Sequence, residues 1–108
     1  SPPRAMATLS RRGNNVQAVV TNVSEEGAPL GSDFIMEFFS GHPDNGGIRV
    51  GSPRFARLGR GREKTIQQTF PDGDTGIPHL RIAAKPGPGV MKGTSAPPDE
   101  VRVFRLVP

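Results

Sequence analysis

Two histidines, one Asp-Gly-Asp triplet and one run of cations are the side chains here whose types could do chemistry. Zinc centres and nucleophilic triads need several convergent ligands. The chain has no Cys, and neither His42 nor His79 has a third partner at a recognisable spacing. Both therefore read as surface histidines, with no metal or catalytic role assigned. Asp72-Gly73-Asp74 offers oxygen ligands of the kind calcium takes, but the rest of a calcium-loop spacing is missing and Asp-Gly is a common turn pair. Calcium binding by Asp72 and Asp74 stays open. Arg54, Arg57, Arg60, Arg62 and Lys64 form a basic run. Gathered on one surface, they would hold an acidic glycan or a nucleic-acid backbone. The plainer reading is a solvated strand edge whose charges discourage edge-to-edge pairing. Only Phe55 stands among these charges to stack on a base, so nucleic acid is not favoured. Gly59-Arg60-Gly61 lacks the Lys-Ser/Thr pair and following helix of a phosphate loop. Asn22-Val23-Ser24 is a glycosylation sequon, meaningful only on a eukaryotic secretory route. No Ser has a base at a known spacing.

Strands must position these groups. Gly (14) and Pro (12) are dense among the 108 residues. That density excludes long helices and suits short strands joined by turns. Val16–Val23 alternates, with Val16, Ala18 and Val20 on one face. Phe34–Phe39 carries Phe34, Met36 and Phe38 on one face and Ile35, Glu37 and Phe39 on the other, the pattern of a central strand. His42–Gly47 holds a strong turn cluster, and Ile48-Arg49-Val50 returns beside the strand before it. Phe55 and Leu58 read as anchors of the crossing that follows. In Arg62–Phe70, Ile66, Gln68 and Phe70 share the one apolar face. Leu80, Ile82 and Ala84 face inward from His79–Ala84, and Val101–Val107 closes the domain. Met6–Ser10 reads as a short edge strand, Arg11–Asn15 as a turn, and Leu30 as a side chain tucked under the sheets. About seven strands at this spacing predict an all-β, Ig-like antiparallel β-sandwich.

The length predicts one domain over residues 1–108, with residues 1–5 and 85–98 flexible. The hydrophobic fraction of 33% is thin; Gly raises it to about 46%, inside the globular range. Six Phe must supply much of the burial in a chain without Trp or Tyr. The net charge of +4 is modest. No apolar run approaches the roughly 18 residues that span a bilayer, so no membrane insertion is expected. The chain opens on Ser1-Pro2-Pro3 with no signal segment, the start expected of a mature terminus or of a fragment.

Three segments carry a resemblance to a known family. Val16-Gln17-Ala18-Val19-Val20-Thr21-Asn22-Val23-Ser24 is similar to a strand ending in Asn-hydrophobic-Gly/Ser. Phe38-Phe39-Ser40-Gly41-His42-Pro43-Asp44-Asn45-Gly46-Gly47-Ile48-Arg49-Val50-Gly51 resembles a strand, a G-x-P-x-x-G-G turn and a hydrophobic-Gly return. Leu58-Gly59-Arg60-Gly61 resembles an L-x-x-G step into the next strand. Together, over about Val16–Ala84, they resemble the bacterial CARDB (cell-adhesion-related, APHP-type) Ig-like domains. Lys85-Pro86-Gly87-Pro88-Gly89 departs from the acidic segment of that family. The resemblance implies a seven-stranded spacer or binding module of exported multidomain proteins, extracellular or at the cell surface.

The expected function is a non-catalytic accessory module, without cofactor, serving adhesion, spacing or protein or carbohydrate contact. Its expected partners are other domains of the same polypeptide and surface protein or carbohydrate. Two alternatives stand beside it: a polyanion or nucleic-acid binder using the Arg54–Lys64 run, and an ancillary domain of a secreted hydrolase. The expected contact residues are His42, Asp44 and Asn45 in the turn, and Arg54, Arg57, Arg60, Arg62 and Lys64 in the basic run.

Overall fold

The computed structural model describes residues 4–25, 34–54, 57–84 and 101–107. They form seven strands: β1 (Ala5–Arg12), β2 (Asn15–Asn22), β3 (Phe34–Ser40), β4 (Ile48–Gly51), β5 (Glu63–Thr69), β6 (Pro78–Ala84) and β7 (Val101–Arg105). Two antiparallel sheets result, β1-β2-β5 and β4-β3-β6-β7. This is an Ig-like β-sandwich. Its fourth strand sits beside β3, whereas an Ig constant-type domain places the fourth strand at the edge of the other sheet. Among the described residues the only helical element is one 3-10 turn, Pro43–Asn45, and no helix is long and apolar enough to cross a membrane.

Two-residue alternation decides the interior. Val16, Ala18 and Val20 from β2 meet Met36 and Phe38 from β3 and Leu80 and Ile82 from β6, all buried. Phe38 and Phe70 bridge the layers edge to face, with ring centroids 6.2 Å apart, a favoured aromatic geometry. Apolar residues on both faces predict a central position for β3, which it has. Leu58 is buried as an anchor of the crossing. Phe55, Leu30 and the loop 85–98 lie outside the described residues, as do the side chains of Phe34 and Ala84.

Two expectations need correction. The first strand is longer than Met6–Ser10, because pairing with β2 runs from Ala5↔Asn22 to Arg12↔Asn15. The turn shrinks to Gly13-Asn14, and Gly13 takes φ +58, the left-handed backbone that two-residue hairpins require. Arg4 and Ala5 are likewise tied down: Val23 donates its N–H to the Arg4 carbonyl at 3.0 Å, and Ala5 is buried.

The crossing from β4 to β5 is held by Asn22, a fully buried polar side chain. Its Nδ2 donates to the Leu58 carbonyl at 2.9 Å and its Oδ1 accepts the Ser24 N–H at 3.0 Å. Its backbone accepts from Gly61 at 2.8 Å and donates to Arg62 at 3.0 Å. The sequon asparagine is therefore a structural tie, with its amide enclosed in the folded chain. Asn22→Ala leaves a buried donor and a buried acceptor unmatched and is expected to cost about 2–3 kcal/mol, read as a shift in the urea midpoint. Asn22→Asp keeps the acceptor but sets a carboxylate against the Leu58 carbonyl. Burial raises the folded-state pKa of that carboxyl, so the loss should grow as pH rises through the carboxylate range.

Candidate functional site

The β3–β4 turn is built around His42. Pro43 fixes the first helical φ, and the His42 carbonyl accepts from Asn45 N and Gly47 N, both at 2.9 Å. Gly46 closes the turn at φ 80, and a Cβ on Gly47 would lie 2.6 Å from the His42 carbonyl oxygen. Glycine is thus required at both positions. The His42 Nδ1 accepts the Asp44 N–H at 3.1 Å. A backbone N–H only donates, so the proton of this ring sits on Nε2.

β6 brings the second histidine to the same place. His79 lies opposite Phe39 on β3. The two imidazoles meet edge to face with centroids 5.2 Å apart and planes at 70°. His79 is buried, and its Nδ1 stands 2.7 Å from the Ile77 carbonyl. A carbonyl only accepts, so here Nδ1 carries a proton, whereas in His42 Nδ1 accepts. The Ile77 carbonyl also accepts the Gly41 N–H at 2.9 Å. The expectation of a surface histidine is therefore overturned for His79, while His42 stays partly exposed. Strand register joins residues that sequence spacing kept apart.

Asp72 and Asp74 serve the turn between β5 and β6. The Asp74 Oδ1 accepts from the Ser40 hydroxyl at 2.6 Å and from the Gly76 N–H at 2.8 Å. The Asp72 Oδ1 accepts from the Asn14 side-chain amide. The Ser40 hydroxyl, the Gly76 N–H and the nearby Arg11 hold the Asp74 carboxyl below its usual range, against a smaller opposing effect of burial. Among the described residues, no group of three or more His, Cys, Asp or Glu is placed to hold a metal ion.

On the outer face of the four-stranded sheet, one carboxylate clamps two arginines. Glu37 on β3 accepts from Arg81 on β6 at 2.7 and 3.3 Å and pairs with Arg49 on β4 at 3.2 Å. The Arg81 guanidinium lies 5.1 Å from the centroid of the Phe39 ring, within cation–π range. Phe39 is thereby covered to 7% exposure although it points away from the core. Sequence reasoning missed this clamp. The signal was present as Glu37 and Arg81 on alternating strands, but only the register sets them opposite each other.

The residues singled out by sequence fall into two groups. His42, Asp44 and Asn45 stand at the end of the sandwich shared with the Gly13-Asn14 hairpin and the 71–76 turn, joined through Asn14–Asp72 and Ser40–Asp74. Arg54, Arg57, Arg60, Arg62 and Lys64 line the crossing into β5 toward the other end, and all five are exposed. Arg60 donates its Nε to the Ser24 carbonyl at 3.0 Å. The chain matches no family model, no curated protein and no solved structure.

Two stability measurements check these contacts. Glu37→Gln should cost about 1 kcal/mol, less in high salt, because the arginines it holds are partly solvated. Asp74→Asn should lower the melting temperature at neutral pH. A depressed folded-state pKa contributes stability above the unfolded value, about 3.9, and that stability is lost as pH falls through the folded value. The gap between wild type and Asp74→Asn should therefore close on acidification, and a gap independent of pH would contradict the assignment.

Proposed function

We propose that this domain is a non-catalytic Ig-like accessory module, exported or at the cell surface, that works by contact. The observation that carries this reading is the difference between its two outer faces. Along the three-stranded sheet, rows such as Thr8–Val19–Thr65 and Ser10–Gln17–Gln67 point outward, a solvated surface of the ordinary kind. Along the four-stranded sheet the outward rows are Ile35–Ala83, Glu37–Arg81–Val103 and Phe39–His79–Arg105. Phe39 and His79 in these rows are covered, which leaves aliphatic and arginine side chains at the surface, and arginine is enriched at protein interfaces. The resemblance of residues 16–84 to the CARDB domains agrees with an exported spacer or adhesion role, and the sandwich supplies a rigid platform for it.

Exposure of all five cations from Arg54 to Lys64 favours a second reading, a polyanion-binding flank. Heparin separates the two. Retention that falls steeply with salt and is lost on combined Arg57→Ala, Arg60→Ala and Arg62→Ala substitution supports the flank; no retention at low salt removes it. For the contact reading, a photo-crosslinker at Val103 in the full polypeptide should capture a neighbouring domain or partner far more often than the same group at Thr65. Equal yields at the two positions would overturn it.

A further inference from the structure

Regular pairing ends with His79↔Arg105, but the register continues beyond it. Leu106 donates its N–H to the Pro78 carbonyl at 3.0 Å and Gly41 donates to Ile77 at 2.9 Å. The same register sets Ile77 opposite Val107, with Gly41 on the other side of Ile77, in one further outward row. Gly41 contributes no side chain to that row. Ile77 and Val107 are 51% and 69% exposed. Two adjacent exposed aliphatics thus continue the apolar face past the His79 row, at the end where the His42 turn stands.

Charge around this face is lopsided. Glu37, its one described carboxylate, has a side chain only 14% exposed and is already held by two guanidinium groups, while Arg49 is 58% exposed. Arg49 gives Nε to Glu37, and its planar fork keeps further donors. Arg105 is exposed beside His79. A partner therefore meets an apolar strip with arginine donors at its margins, and the accessible carboxylate nearby is Asp44 of the His42 turn, 78% exposed. In a second copy the carboxylates offered to these arginines are Glu37, already held, and Asp44, so a partner richer in carboxylates matches the face better.

We propose that this face docks a protein segment in which aliphatic or aromatic side chains are flanked by Asp or Glu. The apolar side chains lie over Ile77 and Val107, and the carboxylates pair with Arg105 and Arg49. This rests on the contact reading above and adds the chemistry of the partner.

Random-peptide phage display against the folded domain tests it without assuming a sequence. Selected peptides should be enriched in Asp and Glu next to apolar residues. Their affinity should fall about tenfold or more on Arg105→Glu and on Ile77→Asp and stay unchanged on Thr65→Glu, about 1.4 kcal/mol per tenfold step. Urea unfolding confirms that each variant is folded, and Arg105→Gln and Ile77→Ser serve where the harsher variants are not. Peptides without acidic enrichment, or indifferent to Arg105→Glu, overturn the proposal. So does binding lost on Thr65→Pro alone, which would mean strand addition at the β5 edge. Concentration-dependent dimerisation abolished by Ile77→Asp would make the occupant a second copy and also overturn it. A failed selection with preferential crosslinking at Val103 removes the partner class and leaves the contact reading; failure of both removes that reading as well.

Discussion

Each sheet of this sandwich can hide only one of its faces, and the Phe38–Phe70 contact fixes which. Once those rings meet across the layers, alternation sends Met36, Leu80 and Ile82 inward with them and sends Glu37, Phe39, His79 and Arg81 outward. A slip of one residue in β3 would exchange the two sets and bury a carboxylate. The register that builds the core therefore also composes the outer face. The character of that face follows from the same strand pattern, since apolar residues stand on both sides of β3 while β5 is apolar on one side only.

The crossing from β4 to β5 poses a different problem. Backbone that leaves one sheet for the other has no ladder to satisfy it, and buried N–H and C=O groups need partners. Asn22 answers with both ends of its side chain and both of its backbone groups. Leu58 turns inward at this point, so the polar and charged residues of the crossing are left to solvent. The exposure of Arg54, Arg57, Arg60 and Arg62 is in part a by-product of that arrangement. Lys64 follows the same parity as the buried Ile66 yet stays exposed on an edge strand. An inward-directed charge on an edge is a recognised guard against unwanted strand pairing. Topology thus explains much of the basic run without any ligand, which is why the four-stranded face carries the functional reading.

Much of this was legible in sequence because the period of two is local. Val16–Val20, Met36–Phe38 and Leu80–Ile82 announce both strand and inward face without knowledge of their partners. Gly13, Asn14 and Asn15 announce a turn because they tolerate positive φ, but the place of Arg11 and Arg12 in β1 comes from pairing with Val16 and Asn15. The burial of Asn22 depends on the Leu58 carbonyl, and the meeting of His42 with His79 depends on the Phe39↔His79 register. Neither leaves a trace in the spacing along the chain. The lesson concerns range: what neighbours decide can be read from neighbours, and what a register decides waits for the register.

An apolar outer face invites aggregation unless something limits it. The Arg81 guanidinium lies over the Phe39 ring, and Glu37 holds that guanidinium in place. The ring is thus shielded by a group that water solvates well on its other side. For docking, the consequence is asymmetric. Covering Arg81 would enclose a charge already matched, and a charge buried with its partner is far less costly than one buried alone. Covering Arg105, or the free side of Arg49, would strand a donor unless the incoming surface brings an acceptor. Docking as proposed would therefore discriminate by penalty as much as by attraction, against purely apolar surfaces and basic ones alike. A clamp that shields Phe39 would in this way also set the terms on which the face is covered.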